Sequence, residues 1–335
     1  MTRRITMLAT ALALGLAGPA LAADPLKVRW GVSVNQSLSH AIAPMLELDE
    51  AIQVRHGIDF ETVDFAGNFQ ACMALAISGE IDGCQTGPTI GMNAIAQGAD
   101  LKAVIQMIGQ ILEITFASED VAASGVATDA PMAARIAALK GKVIAGPGPG
   151  TSPWMVMEQL LSTVGLTMDD IIYQPVTDLA AMNAGLAAGR LDAAIWSVGG
   201  LSPAQADGTG QVWISLARGD VPEMSSLPNV ATFARSAWVA DNTELLRRVQ
   251  AGFVDVLAAL RADPLGYAAA YKARYLEAIP QATWERDLLQ TLPAYFADME
   301  GGCEGWDFWV DRLNVSAEAD AERARCAAAF VALRP

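Results

Sequence analysis

Residues 78–83 read SGEIDG, and residues 188–193 repeat the pattern as AGRLDA. In each copy a glycine follows a helix-like run, and an aspartate opens a short apolar run. Glycine suits the end of a helix because it adopts positive φ without strain. The two copies therefore predict two similar α/β lobes, each with a helix that turns into a buried strand. A cleft between two lobes is a common place to bind a small molecule.

Strand-like and helix-like runs alternate around both copies of this pattern. Such alternation is typical of a largely parallel sheet with helices on its faces. We therefore predict an α/β fold with a mostly parallel sheet in each lobe, followed by helices from about residue 242 onwards. The runs that read as strands or extended segments are residues 26–32, 58–63, 81–84, 101–108, 111–117, 139–145, 171–173, 192–196, 212–216 and 230–234.

The first residues read as a secretory signal peptide. Arg3 and Arg4 precede an apolar run at residues 5–17, and the small-residue stretch 20–22 follows. A basic start, a short apolar core and an A-x-A exit are typical of a cleaved export signal. The run is shorter than the roughly 20 residues that a membrane span needs. We predict a signal peptide at residues 1–22 and a periplasmic mature protein without stable membrane insertion; the alternative is a retained anchor helix.

Composition limits the classes of partner. The chain of 335 residues carries a formal net charge of −15 and is 53% hydrophobic. An acidic, exported chain without a basic patch argues against nucleic acid and anionic membranes as partners. The hydrophobic content argues against disorder, and the length exceeds one ordinary core and fits two lobes.

Four cysteines in an exported chain favour disulfide bonds. Of the three pairings, we favour Cys72–Cys84 together with Cys303–Cys326. Cys72 lies near the start of a predicted helix and Cys84 near the end of the next strand, so the two lie at similar heights. Because a helix sits about 10 Å above its sheet, two buried free thiols are the alternative for the first pair.

The order of these features resembles the periplasmic substrate-binding proteins of ABC importers, in the nitrate, sulfonate and taurine class. The two glycine–aspartate turns carry the resemblance, with residues 139–145 (LKGKVIA) and residues 55–58 (RHGI). It covers nearly the whole mature chain. The resemblance implies two lobes, joined by two crossing segments, that close around a small ligand and deliver it to a membrane ABC permease.

The resemblance also implies a division of the chain. We expect residues 24–115 and 228–335 to form lobe 1 and residues 116–227 to form lobe 2. The expected crossing segments are residues 116–120 and 227–233. We expect the protein to be a monomer.

Ligands of open α/β sheets lie beyond the carboxyl ends of the strands. Residues 148–152 are the strongest candidate for the ligand site. This loop joins a strand end to a helix start and offers N–H groups and hydroxyls to an anion. The alternatives are an ordinary turn there, capping for Asn68 and Thr86, and core packing for the two tryptophans. The predicted ligand-binding residues are Ser33, Asn35, Ser37, Asn68, Thr86, Gly150, Thr151, Ser152, Trp154 and Trp196.

Two further residues are candidates near the cleft. His40 begins the first helix and is a candidate for the edge of the cleft. The alternative, which is the more frequent case for such a histidine, is a position outside the site. Glu113 is a candidate to meet the ammonium group of an amino-sulfonate, and a solvated or hinge role is the alternative.

We expect a receptor and not an enzyme, because no hydrolase, zinc-protease or paired-cysteine motif is present. We also expect no metal site and no cofactor. The expected ligand is a small organic anion, either a sulfonate such as taurine or a carboxylate, although no cleft arginine is evident. The alternatives are a receptor for a flat heterocycle or aromatic acid such as a pyrimidine, a secreted small-molecule enzyme, and a ligand sensor.

Overall fold

The computed structural model describes residues 24–224, 227–299 and 308–309. The predicted signal peptide and the predicted bond Cys303–Cys326 lie outside these residues. Within the described residues the strands are β1 Leu26–Val32, β2 Ile58–Asp64, β3 Gly83–Thr86, β4 Leu101–Gly109, β5 Leu112–Ala117, β6 Val143–Gly146, β7 Ile172–Pro175, β8 Ala193–Ser197, β9 Gly210–Ser215 and β10 Pro228–Arg235.

Helices connect and cover these strands. Four short 3₁₀ helices accompany them at Leu38–His40, Met168–Asp170, Pro222–Met224 and Leu292–Ala294. The α-helices are α1 Ile42–Leu48, α2 Glu50–His56, α3 Phe69–Ser78, α4 Pro88–Ala96, α5 Ser118–Ser124, α6 Met132–Ala137, α7 Ser152–Ser162, α8 Leu179–Ala187, α9 Ser202–Ala206, α10 Ser236–Asp241, α11 Thr243–Ala262, α12 Pro264–Tyr267, α13 Ala269–Tyr275 and α14 Gln281–Thr291.

The strands form two five-stranded sheets with the same internal order. The first sheet runs β2-β1-β3-β10-β4 and the second runs β7-β6-β8-β5-β9. In each sheet the fourth strand, β10 or β5, is antiparallel to its neighbours, and the other pairs are parallel. The predicted α/β class with two mostly parallel sheets is confirmed.

The repeated sequence pattern marks equivalent places in the two sheets. Gly79, with a φ of 85°, ends the helix before β3, and Gly189, with a φ of 64°, lies in the turn before β8. A side chain would be strained at both values of φ. Because β3 and β8 hold the third position of their sheets, the pattern reports a structural repeat.

The aspartates of the pattern tie each third strand to its neighbour. Asp82 Oδ2 accepts a hydrogen bond from the Arg29 amide on β1, at 2.8 Å. Asp192 accepts in the same way from the Val143 amide on β6, at 2.6 Å. Both aspartates therefore tie the amino end of a third strand, β3 or β8, to the neighbouring strand, away from the carboxyl ends where ligands of such sheets bind.

The chain passes between the sheets at two places. Gln110 and Ile111 connect β4 to β5, so the expected crossing at residues 116–120 instead ends β5 and begins α5. The return lies between β9 and β10, and the expected residues 227–233 are mostly β10 itself. Residues 103–117 are buried without interruption, so hydrophobicity does not mark the change of sheet.

Each sheet packs on its own aromatic residues. Trp30 of β1 contacts Phe253 of α11, with ring centroids 6.0 Å apart. In the second sheet Trp213 contacts Phe116 edge-on at 5.0 Å. Both tryptophans are fully buried.

The predicted bond between Cys72 and Cys84 is present, with a Cα–Cα distance of 5.7 Å. It joins α3 to β3. The usual distance of about 10 Å between a helix and its sheet would be too long for this bond. Gly31 on β1 allows a closer approach, since a Cβ there would lie 3.0 Å from the sulfur of Cys72. The missing side chain lets the start of α3 lie close to the sheet.

We predict that the double variant Cys72→Ala with Cys84→Ala loses about 3 kcal/mol of unfolding free energy. The bond closes a short loop of sequence separation 12, and that is the stabilisation expected from restricting the unfolded chain over such a loop. Urea unfolding of oxidised wild type, reduced wild type and the variant measures it. Four reactive thiols in denatured, unreduced wild type would contradict the pairing.

Candidate functional site

A cavity lies between the carboxyl ends of the parallel strands of the two sheets. Its wall comes from the segments after β1 and β3 in the first sheet and after β6 in the second, with the end of β8 and residues of β5, β10 and α3. The polar lining residues are Ser37, Ser39, His40, Thr89, Thr151, Ser152, Ser197 and Asn229. The remaining lining residues are Phe69, Gly87, Ile90, Leu112, Pro147, Pro153, Trp196 and Val230.

The cavity is small. It offers about 50 Å³ to the centres of water-sized spheres, which is room for about four water molecules at ~10–15 Å³ each. In this arrangement of the two sheets it suits a ligand of few non-hydrogen atoms.

Two helices begin at the cavity without a capping side chain. Gly87 precedes α4 and Thr151 precedes α7, and neither side chain caps its helix. The Thr151 hydroxyl instead donates to the carbonyl of Gly148, at 2.7 Å. A Cβ on Gly87 would lie 3.5 Å from Ser152 Oγ, so the two helix starts are adjacent. Pro88 and Pro153 lack an N–H, but the dipoles of both helices favour negative charge at this point.

Two buried hydroxyls at these helix starts have no partner. Thr89 Oγ1 and Ser152 Oγ are both buried, line the cavity and make no hydrogen bond within the described part of the chain. An unpaired buried polar group costs about 1–3 kcal/mol. A ligand that accepts hydrogen bonds would satisfy both hydroxyls.

His40 adds a neutral donor to the wall. The Gln85 amide nitrogen lies 2.9 Å from the His40 carbonyl, which only accepts, and 3.2 Å from His40 Nδ1. Gln85 therefore donates to Nδ1, and the ring proton is on Nε2. Burial lowers the pKa of His40 to about 3, so the ring is neutral at ordinary pH.

The lining as described holds no Asp, Glu, Lys or Arg. Asn229 Nδ2 donates to Ser197 Oγ at 3.3 Å, and the hydroxyls of Ser37 and Ser39 share a hydrogen bond of 2.8 Å. The site therefore presents helix dipoles and hydroxyls to an anion. It presents no carboxylate to an ammonium group.

An aromatic wall closes one side of the cavity. Trp196 lies on β8 of the second sheet, and Phe69 lies on α3, which packs on the first sheet. Their ring centroids lie 6.3 Å apart, with planes inclined by 30°. Gly200 makes room for the indole, since a Cβ there would lie 2.2 Å from it. The wall gives a flat or apolar part of a ligand a surface to pack on.

A family model described as the NMT1-like family matches residues 36–266. The chain belongs to this family. No curated protein matches the sequence.

Solved structures show the same fold at low sequence identity. The alkanesulfonate-binding protein SsuA of Xanthomonas axonopodis pv. citri, bound to MOPS, matches with a TM-score of 0.69 and 21% identity over 90% of this chain and 95% of that one. The periplasmic nitrate-binding protein NrtA of Synechocystis PCC 6803 has a TM-score of 0.68 and 12% identity, over 91% and 86%.

A Candida albicans protein described as having the generic periplasmic binding protein fold matches with a TM-score of 0.65 and 13% identity, over 92% of this chain and 96% of that chain. The expected resemblance to the sulfonate and nitrate class of periplasmic substrate-binding proteins is confirmed. The chain has the fold of periplasmic ABC-type solute-binding proteins.

The structure brings four of the predicted ligand-binding residues to the cavity. Ser37, Thr151, Ser152 and Trp196 line it. They come from both sheets, and all of them lie in or beside loops at carboxyl ends of parallel strands.

The other six predicted residues do not line the cavity. Asn68 caps α3 by accepting from the Ala71 amide, and Ser33 donates to the Gln85 carbonyl. Trp154 packs edge-on against Tyr173, at 4.8 Å between centroids. The remaining three lie beside the site: Asn35 bonds to Thr62, Thr86 is buried next to Gly87, and Gly150 lies near Asn93.

Sequence reasoning missed several lining residues, among them Ser39, Thr89, Ser197 and Asn229. Thr89 had a usable signal, since Pro88 at the first position of α4 marks a helix start just after a strand, as Pro153 does in α7. Asn229 had none, because it lies on an antiparallel strand that returns from the other sheet.

Glu113, a candidate partner for an ammonium group, does not line the cavity. It accepts from Gln290 at 2.8 Å, and burial raises its pKa. The described residues contain no group of three or more potential metal-ligating side chains, and none of their helices is long and apolar enough to cross a membrane.

We predict that His40 makes the fold sensitive to acid. The folded pKa is about 3 and the ordinary value is 6.5, so the unfolded chain binds the proton more tightly. The free energy of unfolding is therefore unaffected by protonation of His40 above pH 6.5. It falls by up to about 1.4 kcal/mol per pH unit as the pH decreases from 6.5 towards 3, because the unfolded chain takes up the proton first. Urea unfolding between pH 4 and 7 should show a shallower loss in His40→Gln than in wild type. The other histidine supplies the control, His56→Gln; equal slopes in all three proteins would show the prediction to be wrong.

Proposed function

We propose that this protein is a periplasmic receptor of an ABC importer that captures a small organic anion between its two sheets. The observation that carries the proposal is the pair of unpartnered hydroxyls, Thr89 and Ser152, at two uncapped helix starts in one cavity. Helix N-termini and hydroxyls bind carboxylates and sulfonates well. The sulfonate-binding and nitrate-binding proteins that share the fold support the same class of ligand.

The mechanism that we propose is binding without chemistry. Residues 24–110 with 228–335 act as one lobe and residues 111–227 as the other, because β5 belongs to the second sheet. Export is directed by residues 1–22. The ligand contacts both lobes and so favours the closed form, because it gains contacts there that the open form lacks. The closed monomer then docks on a membrane permease.

The lining favours an anion without an ammonium group. No carboxylate lines the described cavity, and Glu113 is occupied by Gln290 and Ser215. A buried ammonium group without a partner is costly. We therefore favour a simple sulfonate or carboxylate over taurine.

A flat acid or heterocycle is a second candidate ligand. The aromatic wall of Trp196 and Phe69 favours it, since a ring would pack against the indole. A ligand with a carboxylate on a ring would use the wall and the helix starts together.

The test uses matched ligands and the melting temperature of the mature protein. Taurine is ethanesulfonate with an added ammonium group, and benzamide is the neutral counterpart of benzoate. Ethanesulfonate should raise the melting temperature, with about 2.7 kcal/mol of stabilisation at 100 times its Kd. Taurine should give little shift. A larger shift with benzoate than with ethanesulfonate would favour the flat acid, and benzamide as good as benzoate would contradict an anion site.

We predict that Thr89→Val with Ser152→Ala weakens binding of ethanesulfonate at least tenfold, because each hydroxyl donates a charge-assisted hydrogen bond. Isothermal titration measures the Kd. The control is Thr232→Val, which removes a buried, unpartnered hydroxyl on β10 outside the cavity. An unchanged Kd in the double variant would exclude the helix starts as the anion site.

A further inference from the structure

The helix α14 lies between the two sheets and beyond the residues that the family model matches. One side of it is apolar. Trp284 and Leu288 are fully buried in the core of the first sheet, where Trp284 packs against Tyr271 with centroids 6.1 Å apart. These contacts fix the helix to the first sheet.

The other side of α14 is polar and bonds to the second sheet. Arg286 Nη2 donates to Gln205 Oε1 at 2.7 Å. Asp287 accepts a hydrogen bond from the hydroxyl of Ser202, which begins α9. Both partners belong to the short helix that precedes β9.

Gln290 makes the third contact, one turn further along the same face. Its Nε2 donates to Glu113 Oε1 of β5 at 2.8 Å and to Ser215 Oγ of β9 at 3.1 Å. Three side chains of one helix therefore reach α9, β5 and β9 of the second sheet. These side-chain contacts are polar.

The chemistry of these contacts suits an interface that opens. Asp287 is 3% exposed and Glu113 4% exposed, and burial raises the pKa of both carboxyl groups. Separation of the sheets would return these groups to water, which lowers the cost of opening. Apolar side chains in the same places would resist separation.

The same helix supports the wall of the cavity. A Cβ on Gly199, two residues after the lining Ser197, would lie 4.0 Å from Asp287 Oδ2 and 3.3 Å from Leu38. Leu38 lies between the lining residues Ser37 and Ser39, and its carbonyl accepts from the Tyr295 hydroxyl just beyond α14. The polar contacts thus lie directly behind loops of both sheets that line the cavity.

We propose that α14 is a latch, in which Arg286, Asp287 and Gln290 hold the second sheet against the first and set how tightly and how long the cavity keeps its ligand. The functional role of the latch rests on the proposed function of the cavity. Its geometry rests only on the contacts that α14 makes. Since a ligand binds the joined form, loss of latch contacts lowers the population of that form and weakens the apparent affinity by the same factor.

The test compares two double variants of the mature protein. Ser202→Ala with Gln290→Ala removes one latch contact from each buried carboxylate. Ser78→Ala with Gln281→Ala makes the same substitutions at exposed positions with only local hydrogen bonds. The measurements are small-angle X-ray scattering without ligand and the Kd and release rate of ethanesulfonate.

We expect the latch variant to have a larger radius of gyration than the control, or a Kd and release rate raised about tenfold, as the loss of one or two hydrogen bonds predicts. Either result supports the latch. If wild type fails to bind ethanesulfonate, the scattering decides alone: expansion supports the latch and rejects only the ligand class. Scattering equal to the control, with equal Kd and release rate wherever binding is measurable, would overturn the latch.

Discussion

The structure depends on the meeting of two helix starts at one buried point. Helices α4 and α7 begin beside each other, with no capping side chain and with the hydroxyls of Thr89 and Ser152 unpartnered. Each uncapped start and each buried hydroxyl carries a cost in free energy. A ligand that accepts several hydrogen bonds removes much of that cost. In the mechanism that we propose, the same ligand touches both sheets, so binding and closure become one event.

The common order of the two sheets brings these parts together. The facing walls come from the carboxyl ends of the second and third strands in each order, β1 and β3 in one sheet and β6 and β8 in the other, and from the segments that follow β1, β3 and β6. The chain crosses just before each antiparallel strand, β5 or β10, and Gln110 of the first crossing donates to the carbonyl of Pro228 at the start of β10. In the proposed latch, α14 supports closure from behind the cavity: Trp284 and Leu288 anchor it in one core, and its polar side chains reach the other sheet.

Much of the fold follows from local patterns in the sequence. The glycine–aspartate turns predict the third strand of each sheet, and Cys72 and Cys84 predict a bond that Gly31 makes possible. The crossing at Gln110 was placed too late in the chain, because burial is continuous on both sides of it. That position depends on which sheet the strand joins, which is not a local property.

The site was predictable only at the level of loops. The rule for carboxyl ends selects the edges of the sheets that meet at the cavity, and four of its residues, Ser37, Thr151, Ser152 and Trp196, line that cavity. It does not say which side chain of a loop turns inward, so Asn68 caps a helix and Trp154 packs on Tyr173. Asn229 and Phe69 reach the cavity through tertiary packing alone.

The most direct measurement is a crystal structure of the mature protein grown with ethanesulfonate. We predict the sulfonate oxygens about 3 Å from Thr89 Oγ1 and Ser152 Oγ, with Trp196 beside the ethyl group. The contrary result is a sulfonate held by arginine side chains, such as those of Arg218 and of Arg286 on α14, which line a groove beside the second sheet, with the cavity left to water. Binding there would show that charge, and not the paired helix starts, selects the ligand.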